Sequence, residues 1–266
     1  MSHVLRARCG RPHDLRGRGR VERAGPARLG PRVPRRRVPP RVIDAVVFDL
    51  DGVIIDSEEL WNEVREALAH ERGGRWSAQA QADMMGMSST EWSRYLHDVV
   101  GLPEPPEEIN REVVDRMLAR YSERLPLIDG AVDAVKRLAA HWPLGVASSS
   151  NRELIDRVLE VSGLAPYFEA TVSSEEVAHG KPAPDVYIEA ARRLGVKPSR
   201  CAAIEDSASG IRSAHAAGMR VIAIPNHAFP PPPDVLALAD VVLDSIAELR
   251  PGTIKEVERL STASSG

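Results

Sequence analysis

Asp49-Leu50-Asp51-Gly52-Val53-Ile54-Ile55-Asp56-Ser57 decides how the rest of this 266-residue chain is read. It ends a nearly continuous apolar run over residues 43–50, and such a run suits a strand buried on both faces of a parallel sheet. Two carboxylates at i and i+2, leaving an extended strand, point to the same side. Held that close they repel, so a cation or a shared proton is expected between them. Gly52 lets the backbone turn sharply and approach a ligand. One aspartate placed this way can attack phosphorus while the other moves the proton. The pair taken alone is equally compatible with two solvated loop acids.

Further strand patterns follow at residues 143–148, 170–173, 201–205, 220–224 and 240–243, with helical patterns at about 130–141, 151–162, 184–194 and 207–217. Strands alternating with helices imply an α/β fold, a doubly wound parallel sheet of Rossmann-like type with right-handed crossovers. Residues 57–125 interrupt the alternation with helix-like stretches near 57–72, 88–100 and 107–124 and no convincing strand. The expected organisation is a core of residues 42–56 and 126–250, an inserted all-helical cap at 57–125, and a tail at 251–266. Topology places the hinges near 54–56 and 125–128. Pro230 to Pro233 read as a rigid loop, poor in backbone donors.

Residues 1–41 differ from the rest. They hold 13 arginines against Asp14 and Glu22, about +11, which leaves about −14 for residues 42–266 out of a net charge of −3. The stretch shows no helical or strand period and cannot offset its ordering entropy by apolar burial. It reads as a disordered extension or a stretch upstream of the true start; an arginine-rich nucleic-acid arm and a transit peptide are the alternatives. The acidic body argues against a general affinity for nucleic acid. Hydrophobic residues make up 43% of the chain, yet none of its apolar runs approaches the roughly 20 residues a membrane span needs. Cys9 and Cys201 supply neither a disulfide framework nor a zinc spacing, so a reducing cytoplasm is the expected location. A monomer is expected as well.

Three more segments stand, like the first, at the C-terminal ends of strands, where open α/β sheets bind ligands. Ala147-Ser148-Ser149-Ser150-Asn151 can hold a phosphate at a helix start, or simply cap that helix through Ser150 or Asn151. Gly180-Lys181-Pro182-Ala183-Pro184-Asp185 presents one of only four lysines. Its ammonium can neutralise a phosphoryl oxygen and a nearby carboxylate, or can be an ordinary surface charge before a helix. In Ile204-Glu205-Asp206-Ser207, Asp206 with Asp49 and a backbone carbonyl makes an oxygen-only site suited to magnesium, or Asp206 or Ser207 is an N-cap.

In this order, the four segments resemble the haloacid dehalogenase-like superfamily over nearly all of residues 43–250. Its DxDGxxxDS motif is matched at 49–57, and its later motifs at Ser148, at Lys181 and at Glu205-Asp206. The resemblance implies Asp49 as the nucleophile that becomes an aspartyl-phosphate and Asp51 as the acid and base. It implies Mg²⁺ held by Asp49, the Asp51 carbonyl and Asp206 with Glu205 nearby. Ser148, Ser149 and Lys181 would bind the phosphoryl group. Residues 57–125 look like the helical cap of the β-phosphoglucomutase-like branch.

Within that resemblance the reaction can be narrowed. Dehalogenases lack an acid at the position of Asp51, and phosphonoacetaldehyde hydrolases need a cap lysine, whereas Lys136, Lys181, Lys197 and Lys255 all lie outside 57–125. Mutases of this branch grip a second phosphate with cap basic residues, but the matching loop here is Met85-Gly86-Met87-Ser88-Ser89, and Trp61 stands where the mutase has histidine. Arg65, Arg72, Arg75 or Arg94 could supply that charge instead. Asp56-Ser57-Glu58-Glu59-Leu60-Trp61 is similar to a segment of bacterial sugar-phosphate phosphatases, including 2-deoxyglucose-6-phosphate phosphatases. There Glu58 would take sugar hydroxyls and Trp61 cover an apolar face, or both serve only the helix and its packing. Met84, Met85 and Met87 read as cap core or a loose lid contact. The expectation is a phosphatase of sugar or sugar-alcohol phosphates acting on a small phosphorylated metabolite. A phosphomutase and a phosphoglycolate or nucleotide phosphatase are the alternatives.

Overall fold

A computed structural model describes residues 43–263 except Gly86 and Ala228, with side chains as far as residue 259. The arginine-rich stretch and the readings placed on it lie outside the described residues. Six parallel strands form one sheet: β1 (Ala45–Phe48), β2 (Leu144–Ser148), β3 (Ala170–Ser173), β4 (Cys201–Glu205), β5 (Arg220–Ala223) and β6 (Val241–Val242), in the order β3-β2-β1-β4-β5-β6. Every residue of β1, β2 and β4 is buried, which is why these segments carry no polar alternation.

Side chains alternate across the sheet. Val46, Phe48, Val146 and Ile204 face one layer of helices, α5 (Ala131–Ala139), α6 (Arg152–Val161) and α10 (Pro251–Ala263). Ala45, Val47, Ala147 and Ala203 face the other, formed by α7 (Asp185–Arg193), α8 (Ala208–Ala216) and the short α9 (Pro233–Leu236), whose first residue is the last proline of the Pro230 to Pro233 run. Chain order reverses at β1, which pairs with β2 on one side and β4 on the other, so a crevice opens beyond its C-terminal end.

The register fixes what meets there. Phe48 lies opposite both Val146 and Ile204. Asp49 follows directly and donates its N–H to the Ile204 carbonyl at 2.9 Å. The residues after β1, β2 and β4 therefore end level with one another.

Between β1 and α5 the chain forms α1 (Glu58–Glu71), α2 (Ala78–Met84), α3 (Ser89–Tyr95) and α4 (Pro106–Glu123). A π-helical turn, Leu96–Val100, continues α3 and stops at Gly101, whose positive φ of 89° few other residues adopt. Their shared core includes Trp61, Leu68, Met84, Trp92, Leu96, Val113 and Met117. The two chain crossings lie side by side. Asp56 N–H donates to Pro126 O at 2.8 Å and Ile128 N–H to Ile54 O at 3.0 Å, flanking an antiparallel bridge between Ile55 and Leu127. Among the described residues, no helix is long and apolar enough to cross a membrane.

The sequence reading missed α2, whose only buried residues are Ala80 and Met84, too few to show a period. It also took 251–266 for a tail. Residues Pro251–Ala263 are helical instead, with Ile254 and Val257 fully buried and Glu258 accepting a 2.9 Å bond from the Ile43 N–H. Ile254→Ala should therefore lower the unfolding free energy by about 2–5 kcal/mol, the usual cost of truncating a core isoleucine. Urea unfolding measures it, and an unshifted midpoint would mean that α10 lends the sheet no support.

Candidate active site

The segments picked out by sequence converge beyond β1, β2 and β4. Lys181 Nζ lies 2.8 Å from Asp49 Oδ1 and 2.6 Å from Glu205 Oε1, and all three side chains are buried in the protein. Lys181 is thus no surface charge. Burial works against its ammonium, but Asp49 and Glu205 outweigh that and hold its pKa above the ordinary lysine range. Burial pushes the Asp49 carboxyl up to about 7, although Lys181 draws it down, while Glu205 and Asp51 add repulsion. Asp206 is pushed well above the usual carboxylate range, first by burial and then by its neighbours Glu205 and Asp49.

Asp49, Glu205 and Asp206 each bring one carboxylate oxygen within 4.8 Å of the others. Three carboxylates against one ammonium leave an excess of negative charge that a divalent cation would cancel. The donor set fits such an ion. Asp206 Oδ1 is buried with no hydrogen-bond partner among the described residues, and all candidate donors are hard oxygens. Gly52, at a positive φ of 79°, makes room: a Cβ there would sit 1.9 Å from Asp206 Oδ2. Glu205 completes the trio in space, but protein donors already occupy its oxygens. Oε1 accepts from Lys181 and from the Tyr187 hydroxyl at 2.7 Å, and Oε2 from the N–H groups of Asp206 and Ser207.

Asp51 is held apart from this trio by hydroxyl donors. Ser57 Oγ donates to its Oδ1 at 2.5 Å and Ser150 Oγ to its Oδ2 at 2.6 Å, with Ser148 Oγ at 3.4 Å and Trp61 Nε1 at 3.5 Å. The capping alternatives resolve accordingly. Ser57, at the head of α1, makes no cap bond and serves Asp51 instead. Neither Ser150 nor Asn151 caps α6 through its side chain; Glu175 Oε2 accepts the Arg152 N–H at 2.9 Å in their place. Ser207 caps α8, its hydroxyl accepting from the Gly210 N–H at 3.1 Å, which leaves Asp206 free.

A cavity of about 490 Å³ opens over these groups, lined by Asp49, Asp51, Glu58, Ser149, Lys181 and Asp206. That volume suits a small metabolite. Ser148 is fully buried and is not in the lining; its hydroxyl faces Asp51 and accepts from the Ser150 N–H. Beside Asp51 a second cavity of about 60 Å³ is walled by Glu58, Trp61, Arg65, Met84 and Trp92. Trp61 packs on Trp92 at 5.8 Å between ring centroids. Burial raises the Glu58 pKa above the usual value, with Arg65 drawing it back.

Sequence reasoning missed Tyr187, which braces Glu205 and lies with its ring 5.0 Å from Lys181 Nζ. In sequence it is only an apolar position of α7. It also missed a bridge between insertion and sheet: Glu175 Oε1 accepts from Ser89 Oγ at 3.2 Å and Asn151 Nδ2 at 2.7 Å, and Asn151 also donates to Asn110 Oδ1.

Known proteins resemble this chain in sequence and fold. A family model for haloacid dehalogenase-like hydrolases matches residues 43–218. Hexitol phosphatase B of Escherichia coli is 35% identical over 229 residues, 79% of this chain and 96% of its own length. The E. coli fructose-1-phosphate phosphatase YqaB is 34% identical over 66% of this chain and 94% of its own. The crystal structure of CbbY from Rhodobacter sphaeroides in complex with phosphate superposes with a TM-score of 0.72 at 28% identity, over 80% of this chain and all of the other. The chain belongs to the haloacid dehalogenase-like hydrolases and is an enzyme of their phosphoric monoester hydrolase class.

Gly210 offers a test of the packing around Glu205. A Cβ at Gly210 would lie 1.8 to 2.1 Å from the Glu205 carboxylate. In an open helix Gly→Ala stabilises by about 1 kcal/mol. Here overpacking, at about 1–3 kcal/mol, and displacement of Glu205 from Lys181 should outweigh that gain. Gly210→Ala is expected to unfold earlier in denaturant and to release phosphate more slowly from its esters. A variant matching the wild type in both would show that Glu205 is free to shift.

Proposed function

We propose that this enzyme is a magnesium-dependent phosphatase of small sugar or sugar-alcohol phosphates, working through an aspartyl-phosphate on Asp49. The observation that carries the reading is the pairing at the cavity floor. Asp49 stands beside Lys181, and two residues on, Asp51 is held separately by Ser57 and Ser150. The first carboxylate is placed to attack and the second to handle protons.

In the first half-reaction an Asp49 oxygen bonds to phosphorus as the bond from phosphorus to the ester oxygen breaks. Asp51, entering protonated, gives its proton to the departing alkoxide. In the second, the Asp51 carboxylate takes a proton from water as the water oxygen bonds to phosphorus. The bond to Asp49 breaks and inorganic phosphate leaves. Lys181 and Ser149 face the phosphoryl oxygens, while Ser148 and Ser150 fix the position of Asp51. A magnesium ion held by Asp49, Asp206 and the Asp51 carbonyl, beside Glu205, would supply the charge that keeps Asp49 ionised and offsets the phosphoryl oxygens. Most of the rate enhancement then comes from positioning and fixed charge.

The helices between Glu58 and Glu123 act in this reading as a cap over the cavity, opening for substrate and closing against water. Two relatives carry the names hexitol phosphatase and fructose-1-phosphate phosphatase, which supports a sugar-type leaving group.

Phosphate release across a metabolite panel should be fastest with hexose and hexitol phosphates. A preference for phosphoglycolate or nucleotides, or isomerised sugar phosphate without release, would replace this reading. A chelator should abolish turnover and Mg²⁺ restore it; full activity in chelator would remove the metal from the mechanism. Asp49→Asn should lose ester hydrolysis while keeping its circular dichroism spectrum, and near-normal turnover would exclude Asp49 as nucleophile.

A further inference from the structure

Arg65 is only 7% exposed, and its Nε has no hydrogen-bond partner among the described residues. The guanidinium lies between two rings, its Cζ 4.5 Å from the Trp61 centroid and 4.8 Å from that of Trp92. Stacking offsets part of the cost of burying the charge but leaves the Nε donor unmet. Arg65 lines the small cavity that Asp51, Glu58, Ser149 and Ser150 also line. A buried guanidinium with an unmet donor, held between two rings in the wall of a cavity that Asp51 also lines, is placed to meet a ligand.

The chemistry of that ligand follows from donor and acceptor accounting. Arg65 can only donate, and the Glu58 carboxylate in the wall of the same cavity accepts. A hydroxyl does both: its lone pairs take N–H groups from Arg65, and its proton goes to Glu58. A second phosphate or a carboxylate would satisfy Arg65 but bring a further negative charge beside Glu58. We propose that Arg65, paired with Glu58, is a specificity-determining residue that reads hydroxyl groups on the organic part of the phosphate ester. Trp61 and Trp92 set the plane of its guanidinium. This assignment rests on the phosphatase reading above and names the feature by which the site selects a polyol.

The test compares kcat/KM for a hexitol 6-phosphate with that for propyl phosphate, an ester without hydroxyls, in the wild type, Arg65→Met and Arg65→Lys. Methionine keeps an unbranched chain between the rings and removes every donor. The ratio of hexitol to propyl ester should fall about 10- to 100-fold in Arg65→Met, the range of charge-assisted hydrogen bonds. Arg65→Lys, which keeps the charge but not the planar fork, should recover part of it. Should Arg65→Met fail to fold, Arg65→Lys and Glu58→Gln carry the same readout. An equal fall for both esters would make Arg65 a packing residue and overturn the proposal, as would an unmoved ratio. A wild-type preference for phosphoglycolate or a sugar bisphosphate that Arg65→Met abolishes would make it an anion site and overturn it too. A wild type that releases phosphate from neither ester would sink the phosphatase reading itself, and this assignment with it.

Discussion

Three carboxylates and one ammonium meet, buried, beyond the middle of the sheet, and the arrangement depends on the bonds of that ammonium, with one Asp206 oxygen left unpartnered among the described residues. Lys181 stands between Asp49 and Glu205, and Glu205 is in turn held by Tyr187 and by the N–H groups that open the path to α8. Removing one member of such a cluster leaves an unpaired buried charge, which costs far more than the pair contributes. The register of β1 with its neighbours is part of the same constraint: a strand displaced by one residue would turn Asp49 away from Lys181 and into a helix layer. Sheet, helix starts and charge cluster therefore specify one another.

The sheet was open to sequence reading because it is buried on both faces. An apolar run ending in carboxylates or hydroxyls is visible without any knowledge of its neighbours, and the polar residues at the ends of β1, β2 and β4 stand out that way. The first motif was legible down to the turn that Gly52 makes. Elements whose stability comes from a few distant contacts were not legible. α2 buries two side chains, and the last helix announces itself only through Ile254 and Val257 meeting the sheet layer. Tyr187 gave no signal, since a hydroxyl aimed at Glu205 looks in sequence like one more apolar position of α7.

Ambiguous serines show the same limit. Ser57, Ser150 and Ser207 all stand at or near helix starts, where a hydroxyl often caps, and Ser148 ends β2 close by. Which of them caps depends on where the nearest carboxylate lies. Asp51 draws three of them to itself, and only Ser207 caps in the expected way. The arginine sandwich is equally invisible in one dimension, since Trp61 and Trp92 come from helices 31 residues apart in the chain.

The paired crossings at Asp56 and Pro126 have a consequence for how such a protein changes over time. The chain leaves the sheet and rejoins it at one spot, and backbone bonds tie the two passages together. Whatever lies between them can lengthen, shorten or be exchanged without altering strand register, because loop closure at fixed ends depends only weakly on length. On the proposed reading the reacting groups sit outside that interchangeable stretch, whereas Glu58 and Arg65, proposed to meet the organic part of the ester, sit inside it with Trp61 and Trp92, which flank Arg65. Selectivity can thus drift across a lineage while the bond-breaking apparatus stays as it is.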